Sequence, residues 1–470
     1  MKRFATFLMA VLAACGGDTK EVTAKREDPS LIVLVSLDTL RAEHVSAYGY
    51  HRPTTPNLDA LADDGVLYER AVAQATNTLI SHKSMLTGKL PLRLVHEQTN
   101  ATREQLTHLA EDPTRVISGS LAAVEPTLAA SMKADGYATA GFADGSWMRS
   151  ALKFHLGFDT YMGEQKVGLK TNGPRALDWV RGLSGAKGFL FLHTYDAHCP
   201  YTPPEPYNSL FCKSHAQHPS FDARCPKRTG PPGFEELNLS DADLQAITDH
   251  YDGGIVYTDA MFGEFVDGLK DAGRYEEALI IVTSDHGEGL GDNGQIGHGG
   301  LFAEQVFVPL MVKFPKSWEI EPTRVPSTVE LTDIVPTLLE ATGQPKAEGL
   351  DGRSLIAPAL GERLYRVGVA QIAYNEFQGN ATWQSNPVKR AVYDPDGFWL
   401  LLDEKANSKK LFAMEGLRTS AATSNEDLSD TLESFIRVRE NFGGGDAFRL
   451  PSDFRMDPEL RKQLTALGYL

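Results

Sequence analysis

The chain has 470 residues, 42% hydrophobic and 23% charged, an ordinary globular composition with ample length for a large core. By length it holds roughly two to three domains' worth of chain, or one large α/β domain with an appendage. A formal net charge of −16 argues against a nucleic-acid groove, which needs concentrated Lys and Arg, and reads as a solubility feature.

The first residues, MKRFATFLMAVLAAC, place Lys2 and Arg3 ahead of an apolar run from Phe4 to Leu12. That run is too short to span a bilayer and reads as a signal peptide. It ends in Leu12-Ala13-Ala14-Cys15, which resembles the bacterial lipobox, whose Cys becomes the lipidated first residue; ordinary cleavage after a small residue is the alternative. The expectation is a signal peptide and lipobox over 1–15, a tether over 16–29 and membrane contact through a lipidated Cys15. This places the protein in the cell envelope, at the periplasmic or outer face. No later stretch approaches about 18 uninterrupted apolar residues. Export permits disulfides. With Cys15 used, Cys199, Cys212 and Cys225 remain, and a Cys212–Cys225 loop staple is preferred, with Cys199 able to replace either. The lack of a C-x-x-C pair disfavours a cysteine metal site.

LIVLVSLD (31–38) is an apolar run of strand length that ends in Asp38 and reads as a buried parallel strand. Thr55-Pro56 opens a helix through Ala62, with Gly65 beyond its end. In TLISHKSMLTG (78–88), Ser84 to Gly88 reads as the start of a helix after a strand-like segment. Hydroxyls just ahead of a helix start lie near free N–H groups that suit an anion. A helix around 124–135 leads to a strand at 137–143, and 174–183 leads to the strand GFLFLHTY (188–195). Ser240-Asp241-Ala242-Asp243 caps a long helix to about Asp271, followed by the strand ALIIVTS (278–284), the run PLMVKF (309–314) and a helix over 329–343. Alternating strands and helices predict an α/β domain with a mostly parallel sheet flanked by helices over 30–345. A smaller C-terminal α+β subdomain is expected over 346–470, with a hairpin near 389–402, a charged and less patterned stretch over 407–446, and a terminal amphipathic helix carrying Leu460, Leu464 and Leu467.

Ligands of open α/β sheets bind outside the carboxyl ends of the strands. Three of the predicted strands end there in an acid: Asp38, Asp196 and Asp285. His198 and His286 follow the second and third closely, and His298 sits in Gly297-His298-Gly299. Three carboxylates converging on one rim repel one another, and metal ions are the usual remedy. The mixture of carboxylate and imidazole suits Zn²⁺ or Mn²⁺ better than Ca²⁺.

With these residues assembled, the chain resembles the sulfatase branch of the alkaline phosphatase superfamily. The segments LIVLVSLDTLRAEHVSAYGYHRPTTPNLDALADDG, TLISHKSMLTGKLP, FLHTYDAHCPYTPP and VTSDHGEGLGDNGQIGHGG carry the likeness, and GLDGRSL and LRKQLTALGYL extend it to the C-terminus. The resemblance implies an alkaline-phosphatase-like fold and one metal held by Asp38, Thr78, Asp285 and His286. It implies a second metal held by Asp196, His198 and His298, with His193 or Asp259 as replacements.

The sulfatase signature C/S-x-P-x-R turns its Cys or Ser into formylglycine. Here Thr78 takes the nucleophile position, Ile80 that of the Pro and His82 that of the Arg. Threonine is a secondary alcohol and cannot give that aldehyde, whereas phosphatases, phosphodiesterases and phosphoethanolamine transferases of the superfamily use an unmodified Ser or Thr. The segment AGFADGSWMRS also lacks the Lys and His of the sulfatase G-K-W-H-L-G segment, and Asn293 stands where many relatives have His. By this resemblance Thr78 attacks the ester and forms a phospho-threonine, with His82 and Lys83 as candidates for steadying the substrate oxygens. Arg41 reads as structural. The reading is a metal-dependent hydrolase of phosphate mono- or diesters with two Zn (or Mn), acting on a small-molecule or a glycan or lipid ester. A sulfuric ester hydrolase and a phospho-group transferase of the envelope are the alternatives.

Overall fold

The computed structural model describes residues 26–442 apart from 92, 95–126, 146, 164, 213–216, 219–220, 223–238, 363–367, 374–387 and 404–405. The expected signal peptide, Cys15, most of the tether, Cys225 with the loop staple, and the terminal helix bearing Leu460 lie outside the described residues.

The strands in chain order are β1 (Leu31–Leu37), β2 (Val66–Val72), β3 (Ala138–Phe142), β4 (Thr160–Met162), β5 (Gly188–Thr194), the ribbon β6 (Gln217–His218) and β7 (Phe221–Asp222), and β8 (Ala278–Thr283). Then come the ribbon β9 (Gly289–Leu290) and β10 (Ile296–Gly297), β11 (Phe307–Val308), β12 (Leu310–Lys313) and β13 (Thr323–Glu330). A C-terminal sheet holds β14 (Gly368–Ala373), β15 (Val388–Asp394), β16 (Phe398–Asp403), β17 (Ser408–Glu415) and β18 (Arg418–Thr423). The helices used below are α1 (Pro56–Asp63), α2 (Thr78–Thr87), α3 (Leu128–Ala134), α4 (Leu169–Gly182), α5 (Asp241–Asp271), α6 (Ile334–Ala341) and α7 (Glu426–Phe442).

The central sheet runs β11-β2-β12-β8-β1-β5-β3-β4, with β13 also on β2. β1 pairs in parallel with β5 and β8, and β3 with β5 and β4, while β11 and β12 run antiparallel to their neighbours. The expected mostly parallel sheet flanked by helices is therefore the observed fold. The alternation of β1 explains its layers. Ile32 and Leu34 face one core with Leu79 and Met85 of α2 and Leu338 of α6, and Leu31, Val33 and Val35 face the other with Val180 of α4 and Phe262 of α5. Each such side chain contributes about 1.5–3 kcal/mol relative to exposure. The capping box of Ser240 and Asp243 opens α5 as expected.

Three segments differ from the sequence reading. Helix α2 begins at Thr78, and Gly88 at φ 69° closes it, so the hydroxyl-rich stretch is the helix itself. Val329 and Glu330, expected in a helix, end β13, whose β-branched residues pair with β2, and α6 starts only at Ile334. The charged stretch from Asn407, expected to be less patterned, contains β17, β18 and α7; the sheet β14-β15-β16-β17-β18 is antiparallel throughout. This sheet is tied to the central one by Gln371 N donating to Gln74 O at 2.8 Å and by buried Trp399 Nε1 donating to Leu301 O at 2.8 Å.

Candidate active site

Parallel register sets Leu37 beside Thr194 and Ser36 beside Thr283. The residues that follow, Asp38, Tyr195 and Ser284-Asp285, therefore leave the sheet together at its carboxyl edge. The chain turns sharply at once, because Thr39 adopts φ 62°, a left-handed conformation costly for a β-branched residue. Long-range bonds hold it there: Tyr251 OH donates to Thr39 O at 2.7 Å, Thr39 N to Asp285 Oδ1 at 3.3 Å and Leu40 N to Ser284 Oγ at 3.0 Å. These bonds hold the turn after Asp38 against Asp285.

Asn77 caps α2 by accepting from Leu79 N and Ile80 N, which makes Thr78 its first residue. Ser81 Oγ donates to Asp285 O at 2.6 Å, and His82 Nδ1 donates to Thr78 O at 2.7 Å while its Nε2 accepts from Ser36 Oγ at 2.9 Å. The helix start is so pinned to β1 and to Asp285. Thr78 is buried, and its side chain lies beside the Asp38 carboxyl and the Tyr195 phenol. Burial raises the pKa of both groups, and the Thr78 hydroxyl moderates the rise.

His286 Nδ1 donates to Gly287 O at 2.9 Å, leaving its Nε2 a bare lone pair 3.4 Å from Asp285 Oδ2. Asp38 Oδ1, Asp285 Oδ2 and His286 Nε2 are buried without a hydrogen-bond partner. One donor atom each from Asp38, Asp285 and His286 lies within 4.8 Å of the others. Converging bare donors of this kind repel, and a divalent cation is the group they fit. Burial, then the charge of Asp285, pushes Asp38 well up. Burial also works against an ionised Asp285, but His286, His82 and His193 hold it below the usual carboxylate range. His193 sits behind the pair: its Nδ1 accepts from Asp144 N at 3.3 Å and its Nε2 donates to Asp38 Oδ2 at 3.2 Å, the outer contact that orients a ligating carboxylate.

A second group stands at the rim. His198 Nδ1 donates to Cys199 O at 2.6 Å and His298 Nδ1 to Thr76 O at 3.1 Å, so the two Nε2 atoms meet at 3.3 Å. The His298 ring lies 4.4 Å from that of His286. Asp196 does not join them. Its Oδ2 accepts from Leu169 N and from Thr194 Oγ1, both at 2.8 Å, because the carboxylate is turned to the start of α4. Asp259 is no replacement, since it accepts from Asn57 N and Leu58 N at the start of α1.

His82 and Lys83 are both buried in α2, and both ring nitrogens of His82 are engaged, so it braces Thr78 from behind. Arg41 is buried and structural, its Nη1 donating to Glu288 O at 3.2 Å and to Asp292 Oδ2 at 2.6 Å. Asn293 Nδ2 donates to Glu304 Oε1 at 2.8 Å. The sequence reading missed Tyr195, whose buried OH has no hydrogen-bond partner, and Glu288, whose Oε1 has none and whose carboxyl burial pushes up to about 8. An aromatic at a strand end reads as core, so Tyr195 carries no signal of its own. Glu288, two residues after His286, continues the run of acids past the strand end, a signal the sequence carries.

The family model described as Sulfatase matches residues 30–344. Multifunctional alkaline phosphatase superfamily protein PehA of Trinickia caryophylli is 27% identical over 261 residues, 50% of this chain and 49% of that protein. Arylsulfatase K of Danio rerio is 31% identical over 119 residues, 25% of this chain and 22% of that protein. The chain thus spans about half or less of the length of these curated relatives. The crystal structure of the phosphonate monoester hydrolase of Agrobacterium radiobacter superposes with a TM-score of 0.67 at 20% identity, over 87% of this chain and 94% of that one.

Proposed function

The chain belongs to the sulfatase family, within the alkaline phosphatase superfamily of metal-dependent enzymes, and from that premise we propose that it hydrolyses phosphate mono- or diesters with Thr78 as nucleophile. One observation carries the reading: an unmodified threonine begins α2 with its side chain beside Asp38, next to the three bare donors of Asp38, Asp285 and His286. Those residues and Thr78 would hold one cation, Zn²⁺ or Mn²⁺ by the mix of carboxylate and imidazole. Bound there, it supplies Lewis-acid stabilisation and a lowered hydroxyl pKa.

The protein's own groups do the rest. Thr78 Oγ bonds to phosphorus as the P–O bond to the leaving alcohol breaks, giving a phospho-threonine that water then cleaves. The positive end of the α2 dipole, where Thr78 stands, favours the anion at that point. His198 and His298 are held neutral by burial, which pushes their pKa down to about 3, and present bare Nε2 atoms toward the rim, where they can accept a proton from the water that cleaves the phospho-threonine. His82 and His193 hold the Thr78 backbone and the Asp38 carboxylate in place.

The reading carries with it an envelope location through Cys15 and a small-molecule, glycan or lipid ester as substrate. Among the described residues, no helix is long and apolar enough to cross a membrane. A sulfuric ester is the second reading, favoured by the family match and by the likeness to an arylsulfatase. A panel of aryl phosphate, aryl phosphodiester and aryl sulfate separates the two: phosphate-ester turnover is expected to dominate, and turnover of the sulfate alone overturns the proposal.

A further inference from the structure

Lys166 stands in the connection that leads into α4, and its ammonium lies over the Tyr195 ring, 5.3 Å from the centroid. The same ring makes edge contacts with His193 at 4.9 Å and His198 at 5.1 Å, and its phenol reaches the Thr78 side chain. One tyrosine ring therefore separates an exposed ammonium from the proposed nucleophile.

This placement is built. Val167 N and Gly168 N both donate to Asp144 Oδ1, at 2.9 and 3.0 Å, and Leu169 N donates to Asp196 Oδ2 at 2.8 Å. Asp144, wholly buried, also accepts from Tyr195 N at 2.9 Å, so the backbone beside Lys166 and the Tyr195 backbone hang on one carboxylate. The carboxylates near Lys166 are thus spent on N–H groups, and among the described residues Lys166 has no ion-pair partner. An exposed cation over the Tyr195 ring, whose neighbouring carboxylate Asp196 feels its charge but is bonded to Leu169 N and Thr194 Oγ1, is placed beside the proposed site to receive charge from the substrate.

We infer that Lys166 is a specificity-determining residue, whose ammonium receives the second negative charge of a phosphate monoester and so favours monoesters over singly charged diesters. The inference rests on the phosphate-ester reading above. It assigns a purpose to Asp196 as well, as a residue that holds the Lys166 loop.

The test measures kcat/KM for an aryl phosphate and a matched aryl phosphodiester with wild type, Lys166→Gln, Lys166→Arg and, as a charge control, Lys170→Gln. Lys166→Gln is expected to lower the monoester value about tenfold, the scale of one charge-assisted hydrogen bond, and the diester value by less than about twofold. Lys166→Arg retains the wild-type ratio, and Lys170→Gln leaves it unchanged. The monoester loss also shrinks below about pH 6, where a phosphate monoester carries a single charge, a dependence that mere loop support would not produce. Equal losses on both substrates, or none on either, overturn the inference while the functional reading stands. A wild type that turns over neither phosphate ester overturns both.

Discussion

The Nε2 atoms of His198 and His298 face each other at 3.3 Å while both Nδ1–H groups are spent on backbone carbonyls. Two neutral rings held in this way present lone pair to lone pair, so a proton or another cation has to lie between them or one ring has to move. Their catalytic contributions are therefore coupled. In a double-mutant cycle on kcat/KM with His198→Ala and His298→Ala, the double variant is expected to be less impaired than the product of the single effects, with a coupling of about 1 kcal/mol or more. Additive losses would show that the rings act separately.

The bare donors of Asp38, Asp285 and His286 make the metal-free site a liability for folding. EDTA is expected to abolish turnover, and Zn²⁺ or Mn²⁺ to restore it. At a free metal concentration about a hundredfold above Kd, binding adds about 2.7 kcal/mol of stability, visible as a raised thermal midpoint. In His286→Ala that metal-induced rise is expected to disappear. A midpoint that rises equally in the variant would place the metal elsewhere.

His82 braces Thr78 without facing the substrate, so its loss should appear first as instability. His82→Ala leaves Ser36 Oγ without its ring partner and removes the second bond to the Thr78 carbonyl, a cost of about 1–3 kcal/mol by urea denaturation. His82→Asn, which keeps a donor and an acceptor, is expected to recover part of it. A variant of full stability that has lost kcat alone would instead assign His82 to the chemistry.

His44 donates from Nδ1 to Asp252 Oδ1 at 2.7 Å, and burial holds its pKa down to about 4 against the pull of Asp252. Unfolded, it titrates near the ordinary imidazole value of about 6.5. Above that pH both states are neutral and His44 adds no slope. As pH falls from about 6.5 toward 4 the unfolded state gains a proton first, and stability drops by up to about 3 kcal/mol. Urea midpoints between pH 7 and 4.5 should fall less steeply in His44→Gln than in wild type. Parallel curves would contradict this linkage.

Much of the site is legible in the chain because its parts sit at the ends of strongly apolar runs. Asp38 closes LIVLVSLD, Asp285 follows ALIIVTS, and the parallel register brings both to one edge. The same logic fails for Asp196, since the carboxylate at the end of β5 is claimed by the start of α4, a contact from Leu169 with no local signal. That contact is also why α4 begins at Leu169, ahead of the Pro174 region where a sequence reading starts it. Resemblance to a family motif singles out Thr78, whereas its position at the helix start depends on the Asn77 cap. The sequence patterning does not mark β2 or β13, and their pairing joins segments about 250 residues apart, as Arg70 and Thr328 show. Pairing at that distance leaves no periodicity of its own to read.

The most direct test is to quench turnover of an aryl phosphate in acid and map the modified peptide by mass spectrometry, with Thr78→Ala at matched metal content as the partner measurement. A phosphoryl group on Thr78 is expected in wild type, with a loss of about 10³-fold or more in rate for Thr78→Ala. An unphosphorylated Thr78 together with undiminished turnover in Thr78→Ala would contradict covalent catalysis by this residue.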